Sequence, residues 1–421
     1  MLDLNYLRNN LKVVIKKAEH KGVRIDEDRF LEIDKTRRKK VTEIDGHKSE
    51  KNRLAKEIGI KRSKGEDSSE LENESRDLNQ KIDVIEKDLL ILEKEFNSYI
   101  LNIPNIYHDS VPVGKDESDN VVVREWGKKP GFDFDPKPHW DIGEINKFLD
   151  LPRATKIAGA RFALYLGSLA KLERLLINFM LEIHTSEHGY LEVLPPFLAN
   201  KESLTGTGNL PKFKKDLFKI EDNELYLIPT AEVPLTNIHR GEMLSDKELT
   251  KKYVAYTPCF RSEAGSHGRD VRGITRQHQF NKVELLKFTR PEESYDELEK
   301  LTADAEIILK KLGLHYRVVM LSTGDLSFSS AKTYDLEVWM PGRNKFVEIS
   351  SCSNFEDFQA RRSKIKFKDG DGKKRFVHTL NGSGLAVGRT VAAILENFQD
   401  KNSKVSIPEI LKPGFPGKDH L

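Results

Sequence analysis

Cysteine is almost missing: Cys259 and Cys352 are the only two in 421 residues. Thiols so few and so far apart argue against a disulfide framework and against a cysteine-rich zinc site, and they fit a reducing cytoplasm. No apolar run of about eighteen residues occurs, so no membrane span is expected. The opening MLDLNYLRNN lacks the basic, apolar, small-residue order of a secretory signal. There is no glycine-fingered dinucleotide turn and no Walker A loop, and strands do not alternate with crossover helices. His184 and His188 stand four apart, but HTSEH lacks the glutamate that a zinc-protease helix needs after its first histidine. No zinc is expected. A surplus of one charge is also lacking, since 70 Lys and Arg oppose 67 Asp and Glu. Only the distribution of charge carries information.

That distribution is uneven. Between Lys35 and Lys64 twelve basic residues face four acidic ones; between Glu66 and Asn97 eleven acidic residues face four basic ones. Both stretches lack proline. The second carries Leu71, Leu78, Ile82, Ile85, Leu89, Leu92 and Phe96 at steps of three, four and seven, a narrow helical seam. KRSKGEDSSE at 61–70 supplies a turn. The pattern predicts a long antiparallel helical hairpin, one arm basic and one acidic, each arm about 30 residues or roughly 45 Å. Two uses fit such a hairpin. One is an oligomerisation coiled coil; the other is a basic helix tracking a nucleic-acid backbone through salt-dependent phosphate contacts. Pro104 ends the hairpin, and the Pro/Gly/Asp-rich stretch that follows reads as a linker. The expected organisation is an arm over 1–105, a linker over 106–138 and a mixed domain over 139–421.

The mixed domain carries strand-like runs at 225–228, 253–256, 280–288, 316–320, 333–340 and 345–352, with helical patterns at 162–184, 291–312 and 385–395. Grouped strands with helices between them predict an α+β class with an antiparallel sheet. Residues 258–284 are the densest in chemistry. Arg261, Arg269, Arg272, Arg276 and Lys282 are interleaved with Glu263, Asp270 and Glu284 around Gly265, Gly268 and Gly273. A basic, glycine-rich loop between strands suits a polyanion, though a salt-bridged surface hairpin has the same composition.

Three more clusters lie beside strands: Thr230-Ala231-Glu232, Glu348-Ile349-Ser350-Ser351, and Asn381-Gly382-Ser383-Gly384 with Arg389 beyond it. Read as one site they suit a nucleotide and an amino acid. Arg261 and Arg389 would clamp phosphates, and Glu348 with Ser351 would offer oxygen ligands to Mg²⁺. Phe280 would offer a ring face, and Glu232 and Glu284 would offer carboxylates to an ammonium group. Gly206 and Gly208, in TGTGNLPKF, read as a mobile loop without a phosphate motif, and Cys259 as structural.

These residues resemble the bacterial-type seryl-tRNA synthetases, a family of class II aminoacyl-tRNA synthetases, over essentially the whole chain. HGYLEVLPPF (188–197) resembles motif 1 with Pro196 at a dimer interface, FRSEAGSHGRDVRGITRQHQFNKVE (260–284) resembles motif 2, and GSGLAVGRT (382–390) resembles motif 3. TAE at 230–232 and EISSCSNFEDFQARR at 348–362 are similar to family-specific segments. The resemblance implies a six-stranded antiparallel catalytic sheet, a homodimer, and activation of L-serine by ATP before transfer to tRNA. It implies serine binding by Thr230, Ala231, Glu232, Glu284 and Ser383. It places ATP on Arg261, Ser262, Glu263, Phe280, Glu348, Ile349, Ser350, Ser351 and Arg389, with Arg261 and Arg389 catalytic and Mg²⁺ on Glu348 and Ser351. The arm would grip the long variable arm of serine tRNA, and selenocysteine tRNA where that exists. Other readings are a non-catalytic tRNA-binding homologue and an enzyme that charges a carrier protein.

Overall fold

Asp26 begins the longest helix of the chain. Its carboxylate accepts the Arg29 N–H at 2.9 Å, and Glu27 and Asp28 fill the first turn, where negative charge favours a helix start. The computed structural model describes residues 1–264 and 272–421. The chain divides into two compact units. One holds Leu4–Glu19 and Val23–Ile103; the other holds Pro104–Leu421 with Met1–Asp3 and His20–Gly22.

In the first unit, α1 (Leu4–Asn9) and α2 (Leu11–His20) precede α3 (Glu27–Ser63) and α4 (Ser69–Leu101). The long pair has 37 and 33 residues, somewhat more than the pattern predicts. Ion pairs Arg37–Glu93 at 4.0 Å, Lys40–Asp88 at 2.9 Å, Lys48–Glu86 at 2.7 Å and Arg62–Glu72 at 2.8 Å run in opposite chain order, so the helices are antiparallel. These pairs are largely exposed, and each contributes at most about 1 kcal/mol. Phe30, Ile33, Ile44 and Leu54 of α3 and Leu78, Ile82, Phe96 and Ile100 of α4 are buried, and each adds about 1.5–3 kcal/mol. The seam therefore holds the hairpin, and the charges select its pairing.

The second unit is built on a sheet of eight strands: β1 (Val121–Trp126), β2 (Leu191–Glu192), β3 (Lys251–Phe260), β4 (Gln279–Thr289), β5 (Tyr316–Met320), β6 (Lys332–Met340), β7 (Lys345–Asn354) and β8 (His378–Ala386). Their order across the sheet is β1-β5-β6-β7-β8-β4-β3-β2. Every neighbouring pair is antiparallel except β2 with β3. The α+β class stands, but the sheet is wider than six strands. One added strand comes from residues 106–138, which are not a free linker. The β-branched run Val121–Val123 pairs with β5, and Tyr107 and Val111 are buried with Val319, Leu321 and Leu326. Proline and glycine there only bound the strand.

Helices α5 (Gly167–Ser186), α6 (Ser294–Leu312) and α7 (Val387–Asn397) contribute to the main core. Along α6 the buried positions Glu297, Leu298, Leu301, Thr302, Ala305, Ile308, Leu309 and Leu312 recur at three and four, as one helical face must. Val283, Leu285, Val318, Leu336 and Val338 face the same core. At the centre, β8 is missing from the strands expected from the pattern. Its Gly382 and Gly384 have weak strand preference, yet close approach requires them. A Cβ on Gly382 would meet Leu301 Cδ2 at 2.3 Å, and one on Gly384 would meet His184 Nε2 at 2.6 Å.

Candidate active site

Strand alternation sends Val283 and Leu285 of β4 into the core and leaves Phe280, Lys282 and Glu284 on the other face. There they line a cavity of about 400 Å³, within the size range of small-ligand sites. Two bulges complete its wall. In a regular strand Glu348 and Ser351, three apart, would face opposite ways, but the register shifts between Glu348 and Ser350, and both line the cavity. The register also shifts between Ser383 and Leu385, so Asn381 and Ser383 face the cavity while Leu385 joins the core.

Charges within the cavity are sorted. Arg389 braces two walls: its Nε donates to the Thr275 carbonyl at 3.1 Å, and its Nη1 donates to the Glu348 carbonyl at 2.7 Å and lies 3.2 Å from Glu348 Oε2. Withdrawal from bulk water opposes ionisation of Glu348, but the Arg389 guanidinium outweighs it and holds the carboxyl below its ordinary range. The Arg261 guanidinium lies 5.3 Å from the Phe280 ring centroid, and its Nε donates to the Pro229 carbonyl at 3.2 Å. Arg276 Nε donates to Glu263 Oε2 at 2.7 Å, and Glu263 holds a left-handed φ of 50°.

Two glutamates differ in their partners. Lys282 Nζ lies 2.6 Å from Glu284 Oε2, with side-chain exposures of 9% and 0%. Asn381 donates to Glu284 Oε1 at 2.9 Å. The lysine contact is ionic, and no donor among the described residues is aligned on Glu284 Oε2. Glu232 has no ion pair among the described residues. Burial, reinforced by the Glu284 charge, pushes its carboxyl up to about 7, and Gln359 Nε2 donates to its Oε1 at 2.6 Å.

Glu348 and Ser351 also offer hard oxygen ligands. Asp335 stands opposite Ser351 on β6, and its Oδ1 is buried without a hydrogen-bond partner. Burial, then the Glu348 charge, pushes the Asp335 carboxyl well above its ordinary range. A cluster with one orphaned buried oxygen fits a hard divalent cation such as Mg²⁺.

Of the expected site residues, Thr230, Glu232, Arg261, Glu263, Phe280, Glu284, Glu348, Ile349, Ser351, Ser383 and Arg389 line one cavity. Ala231, Ser262 and Ser350 do not. Ala231 is fully buried in a smaller core, Ser262 Oγ donates to the Lys215 carbonyl, and Ser350 Oγ donates to the Ser383 carbonyl at 2.7 Å. Gly265, Gly268, Arg269 and Asp270 lie outside the described residues. Thr207, Gly208 and Asn209 line the wall, so the TGTG segment belongs to the site. Lys282 and Asn381 each sit two positions before an expected residue, a strand spacing that places them on the same face. Gln359 lies in the family-like segment 348–362, but nothing local marked its role, because its partner is 127 positions away.

Most of the antiparallel-rich sheet and its polar cavity, lined by Arg261 and Arg389, falls within a segment that matches the class II tRNA synthetases. The class II core domain (G, H, P, S and T) matches residues 213–398, and the seryl-tRNA synthetase N-terminal domain matches residues 1–107. The serine–tRNA ligase of Syntrophobacter fumaroxidans is 56% identical over 98% of both chains, and that of Thermodesulfovibrio yellowstonii is 57% identical over 98% of both. The crystal structure of seryl-tRNA synthetase from Pyrococcus horikoshii complexed with ATP superposes with a TM-score of 0.92 at 40% identity, covering 100% of this chain and 99% of that one. The chain belongs to the seryl-tRNA synthetase family.

Proposed function

We propose that this chain is an ATP-dependent serine–tRNA ligase, and that its cavity forms seryl-adenylate. The serine carboxylate attacks the α-phosphorus of ATP, the bond to the leaving pyrophosphate breaks, and the terminal ribose hydroxyl of tRNA then takes the seryl group and releases AMP. No protein nucleophile is needed, because the substrate carboxylate attacks. The enzyme must orient it and offset phosphate charge. Arg261 takes the α-phosphate and serine carboxylate, Arg389 the γ-phosphate, and Glu263 and Phe280 the adenine. Mg²⁺, when bound by Glu348 and Ser351, offsets further phosphate charge.

Partner geometry divides the work at the serine end. Glu284 is already balanced by Lys282 and keeps Oε2 without an aligned donor, so it accepts the serine hydroxyl. Glu232 has no cationic partner among the described residues and accepts the ammonium group with Thr230. Alanine would leave those buried polar groups unpaired, at a cost of about 10⁴-fold, whereas threonine differs by one methyl, which gives only about 10–200-fold. The basic arm within residues 1–105 binds the serine tRNA backbone, and selenocysteine tRNA where that exists. The enzyme acts as a homodimer in the cytoplasm.

The observation that carries this reading is the meeting of Arg261, Arg389, Glu348, Glu232 and Glu284 in one cavity. Serine-dependent ATP–pyrophosphate exchange tests it. Exchange with serine is expected; exchange with glycine or alanine but not serine would overturn the substrate assignment. A non-catalytic tRNA-binding homologue would show none.

A further inference from the structure

Gln359 is fully buried on the helix Phe358–Ser363, and three of the four hydrogen bonds its amide can make are formed. Its Nε2 donates to Glu232 Oε1 at 2.6 Å and to the Thr207 carbonyl at 3.3 Å, and its Oε1 accepts from the Thr379 hydroxyl at 2.7 Å. The amide orientation follows from this chemistry. A carbonyl and a carboxylate cannot donate, so the NH₂ must face them. Two parts of the site are thereby joined through one side chain: the Glu232 carboxylate and the Thr207–Asn209 wall.

We propose that Gln359 is a positioning residue for the serine ammonium subsite: it fixes the plane of the Glu232 carboxylate, leaves Oε2 for the substrate, and holds the Thr207 wall at a set distance. This rests on the reading of Glu232 as the ammonium acceptor. Gln359 touches neither reacting atom, and it acts through Glu232. A neutral amide suits this task. A lysine or arginine there would neutralise Glu232 and compete with the substrate ammonium, whereas an amide donates a hydrogen bond and carries no charge.

Charge around Glu232 sharpens the consequence. Burial and Glu284 raise its proton affinity, while Gln359, Lys282 and Arg261 lower it. Serine binding needs the ionised carboxylate, so the KM for serine is expected to rise as pH falls through the Glu232 titration. Removing the amide donor raises proton affinity further, which moves that rise to higher pH. A residue that only filled space would leave the acid-side limb where it is.

The test is pyrophosphate exchange as a function of serine, ATP and pH in the full-length enzyme. Gln359→Met is expected to raise the serine KM about ten- to a hundredfold, the scale of a missing hydrogen bond to a charged group. The ATP KM should stay within about twofold, and the acid-side limb should move to higher pH. Gln359→Glu, which sets a carboxylate against a carboxylate, should move it further. Thr379→Val, which frees only the far end of the amide, should shift it less and in the same direction; it carries the test if the Gln359 variants do not fold. A folded Gln359→Met with the parental serine KM and limb, or with serine and ATP KM rising together, would overturn the proposal. Glu232→Gln separates the two layers. If it leaves the serine KM unchanged, the subsite reading falls; if it raises the serine KM while the Gln359 and Thr379 variants do not, only the positioning role falls.

Discussion

Replacing Lys282 by methionine removes one member of a buried ion pair and leaves the other in place. The ammonium lies 2.6 Å from Glu284 Oε2, and the glutamate side chain is 0% exposed. Methionine fills nearly the same volume, so packing changes little, and the effect is electrostatic. Breaking a buried pair by deleting one partner costs about 3–5 kcal/mol, because the surviving charge is uncompensated. The neutral pair should behave differently: Lys282→Met with Glu284→Gln is expected to recover most of that loss, since neither member of the pair is then a charge left without its partner. All three tryptophans, Trp126, Trp140 and Trp339, lie in the Pro104–Leu421 unit. Urea denaturation followed by tryptophan fluorescence therefore reports that unit, and linear extrapolation gives the difference. The double variant should stay deficient in serine-dependent exchange although its stability returns. A single variant within about 1 kcal/mol of the parent at neutral pH, or a double variant equally unstable, would refute the account of Lys282 as the compensating charge.

Three further outcomes are expected. Arg389→Lys keeps the charge but loses the rigid fork that reaches both the Thr275 carbonyl and Glu348, and exchange at fixed ATP should fall about a hundredfold; unchanged exchange would remove Arg389 from the phosphate role. Arg261→Ala should abolish exchange while the sedimentation behaviour of the protein stays as in the parent. Arg38, Lys39 and Lys56 are exposed on the basic helix. Their joint replacement by alanine should raise the KM for tRNA in charging and leave exchange unaffected, with the salt slope of tRNA binding falling by about 0.7 for each phosphate no longer neutralised; an unchanged slope would take the arm out of backbone recognition.

Where local pattern governs, the fold is legible in the residues themselves. Tyr316–Met320 forms a strand over the same five residues that its strand-like run marks, and the hairpin follows from a seam and a charge split. Where long-range packing governs, pattern fails. β8 carries two glycines because helices press on it, which lowers every local strand signal. β1 carries a β-branched run, but it is exposed on both faces and set among Pro, Gly and Asp, so no burial alternation marks it and its flanks hide it. The site divides the same way. Arg261, Glu284, Glu348 and Arg389 stand in recognisable motifs, whereas the facing of Glu348 with Ser351 depends on a bulge that no residue type announces. Thr207 and Gln359 join the site only through packing made across the fold.

Two helices ride directly on the bare backbone of β8, with Leu301 and His184 occupying the room that side chains at 382 and 384 would need. The layer spacing beneath Ser383 is thus shared property of both sides. A larger residue at either glycine demands a smaller neighbour, Leu301 with Cys352 for 382 and His184 for 384, so viable relatives should enlarge these places only together with a reduction there.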